Sequence, residues 1–311
     1  MPLQASIHRD RALENVSLLY QNDRLVADAL VPAIPVTRES DVYYIYTKDH
    51  FRLAQTRRAN KAQSTQFTWN ASTSTYRIEE EAVHDYVSQR DRDNADSPIS
   101  PEIDTTQALT ELIKIRREWD LANLMTTTNW ANSASLSAGL NWGSDTVTSN
   151  PIITIDSVTS VIAMTSAKLP NRMVISDKLY RGARNHQNVI DRTKYTSKDS
   201  VTPDLLATLF GLQTVLVAGG IYNLGGNGVA DSMTSIWPSV TCFLGYFEPA
   251  PGVRKVSAMY RFEKRTGANP WIVRKWPEEE RGEGTTAIEV STMYQFKPVA
   301  TDCAYLLNIG A

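Results

Sequence analysis

LPNRMVISDKLYRGARNHQNVIDRTKY (169–195), followed closely by TPDLLATLFGLQTVLVAGG (202–220), is the stretch whose reading decides the fold. The residues before it, DSVTSVIAMTSAKLPN (156–171), have helical spacing that Pro170 ends, because proline lacks an N–H and restricts its predecessor. RMVIS (172–176) reads as a short buried strand. DKLYRGARNHQNVIDRTKY (177–195) predicts a helix followed by a loop. TPDLLATLFGL (202–212) predicts another helix, with Pro203 in its permissive first turn, and QTVLVAGG (213–220) a further strand. GGIYNLGGNGVADSMTS (219–235) reads as a glycine-rich loop, after which SIWPSVTCFLGYF returns as strand.

Downstream, AIEVSTMYQF (287–296) alternates with period two and places Ile288, Val290, Thr292, Tyr294 and Phe296 on one side. WIVRKW (271–276) is its expected partner through the charged turn PEEERGEG, and CAYLLNI (303–309) is a last strand.

Upstream, a helix is expected from Asp104 to about residue 130. Asp104-Thr-Thr-Gln107 has the spelling of a capping box, and Leu109, Leu112, Ile115, Trp119, Ala122 and Met125 trace one face. Such a helix is about 40 Å long and suits a spine. Arg116, Arg117 and Glu118 fall outside that stripe and are expected in solvent or at subunit contacts.

The first forty residues read as an arm across a surface: a polar start, a short helical stretch (VSLLYQNDRLVADAL) and the extended VPAIPV. DVYYIYTKDHF (41–51) has strand character. RLAQTRRANKAQSTQFTWNASTSTYRIEEE (52–81) offers little to bury and predicts a long two-stranded excursion. Arg52, Arg57, Arg58 and Lys61 cluster on one limb, and Glu79, Glu80 and Glu81 close the other. An isolated hairpin is marginal in water, so another subunit is its expected support.

The 311 residues suffice for one large domain or two ordinary ones, and 42% hydrophobic with 21% charged residues is a globular balance. A net charge of −2 excludes an electrostatic DNA binder. Cys242 and Cys303 stand far apart and form neither a disulfide framework nor a thiolate zinc site. Charges at Arg9, Asp10 and Arg11 exclude a signal peptide, and no apolar run approaches the roughly eighteen residues of a membrane span, so a soluble protein is expected.

Several spellings of catalytic or binding motifs fail on context. HRDRALEN (8–15) matches a kinase catalytic loop, but only seven residues precede it and no Asp-Phe-Gly follows. The loop 219–228 lacks the Gly-Lys-Ser/Thr ending of a phosphate cradle. DRDNADSPISPE (91–102) puts Asp91, Asp93 and Glu102 at calcium-loop positions, yet has Asp96 where the sharp turn needs glycine. His8, His50, His84 and His186 are scattered, and there is no GxSxG. No catalytic residue, cofactor site or metal site emerges, and the chain is read as not an enzyme.

The order of these segments resembles the major capsid proteins of tailed bacteriophages, over nearly the whole chain. The resemblance is carried by LPNRMVISDKLYRGARNHQNVIDRTKY, TPDLLATLFGLQTVLVAGGIYN and SIWPSVTCFLGY, with VPAIPV, VYYIY and TYRIEEEAVHDYV in front. It implies an α+β Hong Kong 97-type capsid fold. Its parts would be an N-terminal arm (1–40), an E-loop with flanking strands (41–81), and a peripheral domain with the spine helix (82–150). An axial domain (151–254) and C-terminal strands completing the peripheral sheet (255–311) would follow. It implies self-assembly into hexamers and pentamers of an icosahedral head enclosing double-stranded DNA without sequence-specific binding. E-loop contacts through Arg52, Arg57, Arg58 and Lys61 belong to the same expectation. The implied partners are further copies of the chain, a separate scaffolding protein, a portal and a possible decoration protein, with no membrane. Location would be the virion capsid, assembled in the host cytoplasm. Two alternatives stay open: an encapsulin-type compartment shell, and a soluble α/β enzyme binding a ligand at 219–228.

Overall fold

Strand β13 (Thr286–Pro298), thirteen residues long, organises the first of two main sheets. One edge pairs with β11 (Met259–Lys264) and then β12 (Trp271–Pro277), and the other with β4 (Glu79–Val87). β1 (Ala33–Val36) adds in parallel to β11. The expected period-two face is buried along its whole length, from Ile288 to Phe296. The computed structural model describes residues 21–68, 70–95, 99–136, 142–143, 149–194, 201–226, 228–252, 254–265, 270–282 and 284–310. HRDRALEN and the start of the expected arm helix lie outside the described residues.

Helix α3 (Pro101–Thr127) lies across this sheet, Leu109 and Ile113 packing on Val83, Val290 and Trp271. Its start and its register both correct the sequence reading. Pro101 opens the helix and Asp104 sits inside the first turn, its N–H on Ser100 O, so the Asp104 box does not form. Proline at the first position is preorganised for a helix and needs no partner for an N–H. A capping box does form earlier, between Ser88 and Asp91 at the start of α2 (Gln89–Asn94). The buried ladder of α3 is Leu109, Ile113, Arg117, Leu121, Met125 at four-residue steps, joined by Glu118 and Ala122, while Leu112 is exposed.

The second sheet runs β5 (Ser133–Leu136), β14 (Ala304–Ile309), β10 (Thr241–Gly245), β6 (Arg172–Ser176), β7 (Thr214–Ala218). β6 and β7 are parallel, and β10 is antiparallel to both neighbours. The last strand therefore does not complete the first sheet, as the sequence suggested. Every residue of β10 is buried, so its backbone groups need ladder partners on both edges, and β14 supplies the second.

Helices α4 (Pro151–Ser166), α5 (Asp177–Asn185), α6 (Gln187–Thr193) and α7 (Pro203–Leu209) surround this sheet. α4 starts earlier than its sequence pattern suggested, capped by Asn150, and stops at Ser166 because Ala167 turns left-handed at φ 55°. Where a helix followed by a loop was expected over 177–195, two helices stand, broken at His186, whose ring accepts the Asn188 N–H of the second. The glycine-rich loop contains a small hairpin, β8 (Ile221–Asn223) with β9 (Met233–Ser235), in which Asn223 Oδ1 takes the N–H groups of Gly225 and Ser232. That hairpin occupies the place where the enzyme alternative put a ligand loop.

Candidate intersubunit surface

Two strands cross the outside of this body as a ribbon, β2 (Ser40–Tyr46) antiparallel to β3 (Ala71–Arg77). Its root is held by its own chain. Tyr76 stacks on Phe262 with ring centroids 4.4 Å apart, and Tyr43 meets the same ring. At the far end Lys48 pairs with Asp302 and donates to Thr165 O. The expected excursion over 52–81 is thus corrected. Its ladder is 40–46 with 71–77, residues 79–81 belong to β4, and only the tip stands alone.

In that tip every residue from Arg52 to Thr68 is exposed. A hydrogen bond from Thr65 Oγ1 to Gln55 O (2.8 Å) ties its limbs. The turn at its end closes by Ala62 N–H to Ala59 O at 3.1 Å, with Lys61 left-handed at φ 62°. Residues 51–68 hold four cations and no carboxylate. Arg52 reaches back to Asp49 at 2.8 Å. The Thr47 hydroxyl, donating at 2.5 Å, is the main reason the Asp49 carboxyl lies below its ordinary value. Arg57, Arg58 and Lys61 make no ion pair among the described residues. The structure therefore gathers all four sequence-predicted residues on one tip.

The root of the ribbon is acidic. β4 reads EEEAVHDYV and carries no Lys or Arg. Two shallow concavities flank its start. One is lined by Glu39, Arg77, Glu79 and Glu80, and the other, of about 300 Å³, by Glu79, Glu81, Arg116, Asp120 and Tyr294 among others. Burial and the neighbouring Asp120 push the Glu81 carboxyl up, against the pull of Arg116. Asp120 is engaged by Arg116 at 3.1 Å and by the Tyr294 hydroxyl at 2.9 Å.

Sequence reasoning missed what fastens the arm. Residues 26–36 are not laid across a surface, since Val26, Ala27, Leu30 and Val31 are core residues and β1 is a sheet strand. Glu118, fully buried, takes the N–H groups of Val26 and Ala27 at 2.9 and 2.7 Å on Oε2, at the start of α1 (Ala27–Leu30). Its Oε1 takes the Trp237 indole N–H at 2.6 Å. Arg117 lies between the rings of Trp271 and Tyr294 and donates to Asp28 and Thr292. Arg172 from the second sheet donates to Ala29 O and Leu30 O. The signal was present in the sequence: Arg117 continues the four-residue ladder of Leu109, Ile113, Leu121 and Met125.

The carboxylates at calcium-loop positions are engaged otherwise. Asp91 closes the Ser88 cap, and Glu102 takes Arg92 and Lys275. Among the described residues no group of three or more His, Cys, Asp or Glu is placed to hold a metal ion, and no helix is long and apolar enough to cross a membrane.

No family model matches the chain. It is 29% identical over 232 residues to the major capsid protein of Burkholderia phage BcepMu, covering 73% of each chain. To the major capsid protein of Pseudomonas phage JBD67 it is 25% identical over 241 residues, 76% of each. Among solved structures it superposes on a phage-related protein of Bordetella bronchiseptica RB50 with TM-score 0.70, 22% identity and 94% coverage of both chains. On the capsid of the native GTA particle the TM-score is 0.65, with 14% identity over the full length of both. The SrpI encapsulin of Synechococcus elongatus PCC 7942 gives 0.53 at 13% identity, covering 96% of this chain and 93% of that one. The two-sheet body with its ribbon and spine is thus a fold shared by shell-forming chains.

Proposed function

We infer that the chain is a major capsid protein of the tailed-bacteriophage type, built on the α+β Hong Kong 97-type fold, and that its copies close into an icosahedral head. The observation that carries the reading is the coincidence of capsid-named relatives over about three quarters of the chain with a shell-type fold over nearly all of it. The role is structural rather than catalytic.

In this reading the ribbon and tip within 41–81, up to the start of β4 at Glu79, are the E-loop region, and the tip that its own chain leaves bare lies on a neighbouring subunit of a hexamer or pentamer. Residues 1–40 are the arm, fastened from Val26 onward by Glu118 and Arg117. The first sheet with α3 is the peripheral domain and the second sheet the body of the axial domain. β5 and β14, from outside 151–254, join the axial sheet and tie the two together. The head encloses double-stranded DNA without reading its sequence, in keeping with a net charge of −2. Assembly takes place in the host cytoplasm with a separate scaffolding protein and a portal, and a decoration protein is a further candidate partner.

The likeness to an encapsulin supports a second reading, a cellular compartment around protein cargo. Purified particles separate the two. Nuclease-protected double-stranded DNA inside shells made with the neighbouring genes supports the phage head, and shells that enclose only a co-expressed enzyme overturn it.

A further inference from the structure

We propose that Lys48 and Asp302 form a latch that fixes the angle at which the ribbon leaves the body, and that opening the latch lets the ribbon swing about its aromatic root. The latch is a property of the single subunit, and only its consequence for assembly rests on the shell reading.

The ribbon is fastened at two places of different chemistry. At the root Tyr76 stacks on Phe262 of β11, and of the paired residues of β2 and β3 Tyr76 alone is buried. A two-stranded ribbon with so little to bury does not hold its own direction in water. The seven-residue ladder spans about 20 Å, and its far end comes down on the second sheet. There the Lys48 ammonium meets the Asp302 carboxylate, in the turn leading into β14, and donates to Thr165 O. Arg254 adds a weaker contact, 5.9 Å from the centre of the Tyr46 ring.

The receiving end of the latch is built into the body. Thr165 O is among the last carbonyls of α4, which have no partner within the helix, and a cation is favoured at that end. Asp302 is held in place: its own carbonyl accepts from the Thr165 hydroxyl at 3.0 Å, and Asn132 Nδ2 donates to the same oxygen at 3.3 Å. Lys48 is therefore the moving part. Its side chain is 52% exposed and that of Asp302 23%, so water competes with the pair. A half-exposed ion pair opens more readily than a buried ring stack, which makes the root the pivot and the far end the release. An element held in one direction before association loses less freedom on binding, so the closed latch favours assembly.

The test reads the swing in the free subunit. Nitroxides at Thr73→Cys on the ribbon and Ser157→Cys on α4, both exposed, report their separation by double electron–electron resonance, and the buried native thiols Cys242 and Cys303 do not compete. With the latch intact one narrow distance distribution is expected. Lys48→Ala and Asp302→Asn are each expected to widen it at least twofold, and Lys48→Arg, which keeps the charge, to leave it narrow. The melting temperature of Lys48→Ala is expected to match wild type. A Lys48→Ala distribution as narrow as wild type, or a Lys48→Arg distribution as wide as that of Lys48→Ala, overturns the latch. Particle yield by sedimentation is expected to fall at least threefold for Lys48→Ala and to recover for Lys48→Arg, and a wild-type yield from Lys48→Ala overturns the consequence for assembly. A wild-type chain that forms no particles overturns the shell reading, and the distance measurement still decides the latch.

Discussion

Arg117 Nη1 donates to Asp28 Oδ1 at 2.9 Å, so the middle of the spine helix holds the arm by a charged hydrogen bond across 89 positions of chain. The guanidinium is 2% exposed, and the aromatic faces of Trp271 and Tyr294 lie 4.7 and 4.8 Å from its centre. Arg261 reaches the same Asp28, and Glu263, wholly buried, completes the cluster. Arm, spine and first sheet are fastened at one point.

Removing one member of a buried charged cluster strands the others, at a cost of about 3–5 kcal/mol. Arg117→Met is therefore expected to destabilise the subunit severely. Trp119→Ala removes a ring that is only half-buried and should cost about 2 kcal/mol, below the full penalty for a buried tryptophan. The sequence alone puts Trp119 on the packed face and Arg117 outside it, which would order these costs the other way. Urea denaturation of the soluble subunits measures the order, and a Trp119→Ala variant less stable than Arg117→Met would contradict it.

That reversal shows where the sequence was legible and where it was not. RMVIS and AIEVSTMYQF announced themselves because buried strands are written in apolar runs and alternation. The buried face of α3 is hard to read because Arg117 and Glu118 have the local look of solvent-facing charges. Their partners come from far along the chain: two aromatic rings, an indole N–H and the amides of Val26 and Ala27. The four-residue step of Leu109, Ile113, Leu121 and Met125 marks the position of Arg117 as buried, but nothing local names the distant partners that satisfy its charge. The exposure of the tip, by contrast, was legible because residues 51–68 offer little to bury and hold four cations with no carboxylate, of which Arg52 alone makes an ion pair among the described residues, with Asp49 just before them.

The two carboxylates of the arm clasp respond to pH in opposite senses. Burial alone would raise Asp28, but the charges and hydrogen bonds of Arg117 and Arg261 outweigh it and hold the carboxyl below its ordinary 3.8. Its stabilising contribution is present above that value and is lost as pH falls through the folded-state pKa. The side chain is 55% exposed, so solvent screens much of it. Burial raises Glu118 above 4.5 despite its three donors. Its contribution is present below 4.5 and is lost as pH rises through its folded-state pKa. Melting curves between about pH 3 and pH 8 should show D28N losing the acid-side decline and E118Q losing the decline on rising pH. Parallel profiles for E118Q and wild type would contradict the assignment.

Gly284, in the turn between β12 and β13, has φ 73°, and a Cβ there would lie 2.8 Å from Gln89 Cβ. Gly284→Ala therefore combines a left-handed backbone with a clash at the start of α2, and should cost about 1–3 kcal/mol. An unchanged melting temperature would show that this turn relaxes freely.

Replacing residues 52–68 by a short Gly-Ser turn should leave the melting temperature of the subunit unchanged, because all of them are exposed. The same variant should form no stable particles. Deletion of β3 as well would unseat the stacking of Tyr76 on Phe262 and lower stability, which separates a folding role from an assembly role. Normal particles from the tip-replaced chain would remove the tip from the interface.

Electron cryo-microscopy of particles purified after expressing the wild-type chain together with its neighbouring genes tests the central claim most directly. The account predicts closed icosahedral shells in which each subunit has the two-sheet body and lays its tip on a neighbour. A chain that stays monomeric under the same conditions, or that builds particles whose subunit density does not fit this fold, would contradict it.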